Sequence, residues 1–132
     1  MKNLILLTSV LFLVLFNSCG STKVSPSDEI VKNPDKFAEF PEGEAAMKRF
    51  ISENINYPEK AMERGEEGKV FIQFVVEKDG TITDIKVLKS ASPSLDKEAI
   101  RLVSTMPKWT PGIYKNKYVR SYVRFPINYI LG

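Results

Sequence analysis

The chain has 132 residues, 43% of them hydrophobic, with no histidine, one cysteine and a formal net charge of +3. Without histidine and with a single thiol, it lacks the commonest nucleophile and base pairs and any intrachain disulfide. So small a net charge is no footprint for nucleic acid.

In chain order, residues 1–19, MKNLILLTSVLFLVLFNSC, open with Lys2 and run through a largely apolar stretch from Leu4 to Phe16. This is a secretory signal pattern, and it falls short of the roughly 20 apolar residues of a spanning helix. Cys19 follows Ser18 and precedes GSTKVSPS. That placement resembles the bacterial lipoprotein signal, in which the cysteine is lipidated and becomes the mature N-terminus. Ordinary cleavage near Gly20, which would discard Cys19, is the alternative. Residues 20–36 are polar with mixed charge and read as a short linker, leaving 37–132 as one domain.

From Gly43, GEAAMKRFISENINYP spaces Met47, Phe50 and Ile51 as one face of an amphipathic helix that breaks before Pro58. A second short helical turn is expected with Pro58 as its first residue and Gly65 as its stop. In KVFIQFVVEKDGTITDIKVL the period changes to two: Val70, Ile72, Phe74 and Val76 alternate with Phe71, Gln73 and Val75. Asp79-Gly80 supplies a hairpin turn, and the phase slip between Ile82 and Ile85 predicts a bulge near Thr83 and Asp84.

A second main helix is predicted over SPSLDKEAIRLVSTMP, with Ser94 as N-cap, Asp96 and Glu98 in the first turn, and Pro107 ending it. The chain's one tryptophan, Trp109, then sits in MPKWTPG. Pro107 and Pro111 fix the path there, so Trp109 is read as a cover over one end of the core, with direct partner contact as the alternative. After a Lys-Asn-Lys turn, Val119, Val123, Phe125, Ile127 and Tyr129 alternate with Arg120, Tyr122, Arg124 and Asn128, which gives a third strand with one polar, basic face. The expected fold class is α+β, a three-stranded antiparallel sheet with two main helices packed on one side.

Charge is unevenly spread. Asp28 to Glu67 holds eleven acids and six bases, and the residues after Glu98 hold six bases and no acid. The C-terminal third is either a solvated basic face or a docking surface for a neutral or acidic partner. Catalysis is not expected, because there is no histidine, no convincing thiol nucleophile and no phosphate-binding glycine loop, and Asp79, Asp84 and Asp96, as turn, strand-surface and helix-start residues, are too ordinary to argue for a metal. Neither a metal nor a cofactor is implied.

The third strand is the candidate site. Pro126 has no N–H, so a strand tolerates it only where its nitrogen faces away from a partner, at an edge. Residues of the same parity, Arg120, Tyr122 and Arg124, would then aim their backbone groups at the open edge, where another chain could add as a strand. The alternative is that arginine and proline only guard the edge. Tyr118, like Tyr114, is a further candidate contact.

Many spaced residues now spell a family: Tyr57-Pro58, Ala61, GEEGKV from Gly65 to Val70 with its Gly68, Phe74, DGTI, SLDKEAIR with its Asp96, MPKWTPG with Gly112 at its end, Val119 and FPI at Phe125 to Ile127. Together these resemble the C-terminal domain of TonB energy transducers, in the form common in Bacteroidetes-type bacteria. Ala38 to Pro58 resembles the extension that often precedes it there. The resemblance implies a periplasmic binding module that grips the TonB box, a short extended segment of an outer-membrane transporter, while a proton-driven inner-membrane motor supplies energy. A full transducer adds an uncleaved membrane helix and a long proline- and lysine-rich spacer. Here the expectation is instead a domain held near a membrane through lipidated Cys19. The rival readings are a complete transducer with a retained anchor, and a structural or regulatory envelope lipoprotein that uses the edge for another partner or for self-association.

Overall fold

Nine residues, Gly68–Val76, form the strand around which the domain is built. The computed structural model describes residues 28–132, so the signal segment, Cys19 and the start of the linker lie outside the described residues. The elements are β1 (Ile30–Val31), α1 (Glu44–Asn54), α2 (Glu59–Glu63), β2 (Gly68–Val76), β3 (Ile82–Lys89), α3 (Pro93–Ser104), β4 (Gly112–Tyr114) and β5 (Lys117–Tyr129). The sheet order is β1-β5-β2-β3, and β4 pairs with the start of β5. The α+β class stands, and β2, β3 and β5 are the three expected strands. Two short strands extend them, and one of these, β1, lies inside the segment read as linker.

β2 is central because its two faces can both be covered. Val70, Ile72, Phe74 and Val76 are fully buried in one core with Leu95, Ala99, Leu102 and Val103 of α3 and with Ile127 and Tyr129 of β5. Each such side chain contributes about 1.5–3 kcal/mol on leaving water. On the opposite face Val75 and Gln73 are also buried, opposite Tyr122 and Arg124 of β5. There Arg124 lies over Gln73 through a side-chain hydrogen bond. Met47, Phe50 and Ile51 of α1 pack against the core along the expected stripe.

Local signals hold with small shifts. Pro58 is the N-cap of α2 rather than its first residue, because its ψ of 134° is still extended. α3 begins earlier than expected: Ser92, not Ser94, is the N-cap, its hydroxyl accepting from the Leu95 N–H at 3.2 Å, and Pro93 takes the first helical position. Asp96 reaches back to accept from the Ala91 N–H at 3.0 Å and from the Ser90 hydroxyl. The predicted bulge is present: Gln73 pairs with Lys86 and Val75 with Thr83, and Asp84 takes up the slack at φ 51°.

The hairpin turn carries a further constraint. Gly80 accepts from the Trp109 N–H at 2.9 Å, and a Cβ on Gly80 would sit 2.2 Å from the Trp109 carbonyl oxygen. With φ at 90°, only glycine fits. The turn after β2 is thus clamped to the segment that carries Trp109.

Candidate strand-docking edge

β5 runs for 13 residues and pairs with β2 in unbroken register from Ser121 opposite Val76 to Tyr129 opposite Gly68. Pro126 lies opposite Phe71 within this register. A proline can hold such a position only with its nitrogen turned to the far side. The far side is the outer edge of β5, and beyond Ser121 no strand among the described residues pairs with it.

Beside that edge lies a groove of about 560 Å³ lined by Lys32, Asn33, Phe37, Ala38, Tyr122, Val123 and Arg124. Phe37, on one wall of this groove, is 60% exposed. Arg124 Nε donates to Gln73 Oε1 at 2.6 Å, and its guanidinium lies 5.5 Å from the Tyr122 ring centre. Both side chains are therefore held in place next to the edge. Tyr118, in the hairpin opposite Ile113, is 57% exposed. The hairpin turn itself is the two residues Lys115 and Asn116, both at positive φ.

Arg120 departs from expectation. Its edge is occupied, because Ile30 pairs with Arg120 and Val31 with Ser121, in parallel. Its side chain is engaged as well: Nε donates to Glu77 Oε1 at 2.6 Å, Nη2 to Glu77 Oε2 at 3.1 Å and Nη1 to the Asp28 carbonyl at 2.6 Å. The hydrogen bond from Arg120 holds the Glu77 carboxyl below the usual carboxylate range, assisted by the Thr83 hydroxyl. Sequence reasoning passed over Glu77, Gln73 and β1. The one available signal for β1 was the β-branched pair Ile30-Val31 in an otherwise polar stretch.

The remaining motif residues frame the edge from behind. Trp109 is 5% exposed, edge-on to Phe40 and Phe74 and stacked on Phe125 of β5 at 6.4 Å. Pro107 and Pro111 bracket it on the way to β4. Gly112 lies so close to β5 that a Cβ there would stand 2.9 Å from Ser121 Oγ. Gly68 starts β2 opposite Tyr129, against Ala91. The Tyr57 hydroxyl donates to the Glu66 carbonyl, and its ring meets Tyr129 edge-on at 5.8 Å. Among the described residues no group of three or more His, Cys, Asp or Glu is placed to hold a metal, and no helix is long and apolar enough to cross a membrane.

A family model described as the Gram-negative bacterial TonB protein C-terminal matches residues 53–131. Over 40 residues the chain is 50% identical to the TonB proteins of two Helicobacter pylori strains, a match that takes in 30% of this chain and 14% of the length of each of those proteins. The solution NMR structure of the Helicobacter pylori TonB C-terminal domain is similar at a TM-score of 0.52 and 31% identity, over 65% of this chain and 78% of that one.

Proposed function

The chain belongs to the Gram-negative bacterial TonB C-terminal family, and from that membership we propose that it is an envelope protein-binding module that captures the TonB box of an outer-membrane transporter by strand addition. The observation that carries this reading is the outer edge of β5 that lies open beyond its two-residue pairing with β1, as far as Pro126, with its groove and its oriented Tyr122 and Arg124. Main-chain bonds along such an edge give affinity, and the flanking side chains select among segments. Pro126 can accept but not donate, so the docked strand stops near it. The basic third of the chain favours a segment that carries acidic residues.

Tethering through a lipidated Cys19 belongs to the same proposal. Mass spectrometry of the mature N-terminus tests it, and an unmodified mature chain beginning after residue 19 would remove it. The edge is tested with a synthetic TonB-box peptide and two proline variants. Tyr122→Pro removes an outward donor, so peptide binding should weaken while melting changes little. Val123→Pro breaks the ladder to β2 and leaves a buried acceptor unpaired, so the domain itself should be destabilised by at least about 1–3 kcal/mol. Normal peptide affinity in Tyr122→Pro would mean that the edge is not the site.

A further inference from the structure

The outer edge of β5 already carries a strand at its beginning. That strand, β1, lies ahead of residues 53–131, over which the family match extends. It is a thin attachment. Only Ile30 and Val31 pair, both are half-buried, and the pairing is parallel, the weaker geometry per residue. One end is latched by the Asp28 carbonyl on Arg120 Nη1. The Asp28 carboxylate also stands 3.9 Å from Lys78, but those side chains are 61% and 42% exposed, and such a pair holds little.

The other end is fastened more firmly, and to a different element. Asp35 accepts from the Lys115 N–H at 2.9 Å, Lys36 and Ile113 exchange backbone hydrogen bonds at 3.0 and 2.8 Å, and Glu39 and Thr110 do so at 3.0 and 2.8 Å. Asp28 to Asn33 can therefore lift off β5 about a hinge near Asp35 without disturbing β4 or the core. The same short segment supplies Lys32 and Asn33 to the wall of the groove.

We propose that Asp28–Lys32 is a built-in competitor for the docking edge, displaced when an incoming strand pairs past Tyr122 toward Tyr118. The proposal rests on the reading of β5 as the docking edge. The self-strand also specifies the chemistry that displaces it: an extended segment led by acidic residues, followed by β-branched ones, and running in the same direction as β5. Asp28-Glu29 followed by Ile30-Val31 is that pattern, written in the chain itself.

The test uses the full chain and its double variant Ile30→Gly with Val31→Gly, which removes both β-branched side chains from the edge. A self-strand closed nine-tenths of the time raises the apparent Kd about tenfold. A synthetic peptide DEIVKN, copied from residues 28–33, should therefore bind the variant about tenfold more tightly than the wild type, and the reversed peptide NKVIED should not. Hydrogen exchange at the Arg120 and Tyr122 amides should quicken in the variant, while the Ile72 and Phe74 amides of the core keep their protection. Unchanged exchange at Arg120 and Tyr122, or equal affinity of the two chains for DEIVKN, would overturn the competitor. A TonB-box peptide run alongside separates the two ideas: failure to bind either chain sinks the proposed partner, whereas the exchange measurement still decides on β1.

Discussion

Trp109 illustrates how far a single residue could be read. Its flanking prolines rule out regular structure, and its size argues for cover over the core. The structure gives it three aromatic neighbours, Phe40, Phe74 and Phe125. Trp109→Ala should cost about 3–5 kcal/mol in denaturant melts. Trp109→Phe should cost less, since Nε1 is buried with no protein acceptor and contributes no bond. Tyr129 was legible only as an apolar position. Its hydroxyl is buried without a protein partner, and burial pushes its pKa well above the ordinary 10.0. A raised folded pKa favours the fold below that ordinary value, and the advantage is lost as pH rises past 10.0 toward the folded value. Tyr129→Phe should melt at or above the wild type near neutrality and escape this alkaline loss, as thermal melts from pH 8 to 11 would reveal. A Phe variant clearly weaker at neutral pH would mean that the hydroxyl has a bond after all.

Elements were legible wherever a pattern repeated. β2, β3, β5, α1 and α3 each carry several periods of apolar spacing, and even the bulge at Asp84 announced itself as a phase slip. The start of α3 was misread because Ser92 and Ser94 both suit a cap, and only Pro93 between them decides, since its fixed φ belongs at the first helical position. The hairpin turn was legible as Asp-Gly, but its second duty was not. Gly80 also accommodates the Trp109 carbonyl, so Gly80→Ala meets a backbone atom as well as an unfavourable φ. Denaturant melts should show a loss of at least about 1–3 kcal/mol. A near-neutral Gly80→Ala would show that the clamp on Trp109 is loose. Glu98 looked like an ordinary first-turn acid. It accepts from the Asn56 N–H at 2.7 Å and from Arg101, which also donates to the Asn54 carbonyl at 2.8 Å. This fastens the end of α1 to α3, and Glu98→Ala should cost about 2 kcal/mol.

At the scale of the whole molecule, the open outer edge of β5 was legible from one proline and an alternation, whereas its occupancy by β1 was not. Two residues carry no period, and their partner is some ninety positions away in sequence. Glu77 makes that corner sensitive to acid. Its lowered pKa means that it favours the folded arrangement above its ordinary 4.5, and the contribution fades as pH falls through the depressed folded value. The protection factor of the Arg120 amide, its exchange rate taken relative to the unstructured rate at the same pH, should therefore fall in acid before that of the core. The same arrangement bears on how the domain would carry a mechanical load. A strand docked on β5 would tug along its own axis, and β5 is joined to β2 by nine consecutive registered pairs from Ser121 to Tyr129. A tug in that direction is shear, which strains every rung of the ladder at once instead of peeling them singly. β1, latched at one end by Asp28 and holding two rungs, can be peeled. With a partner docked, one strand would thus offer a grip that resists pulling on its inner side and a clasp that yields on its outer side.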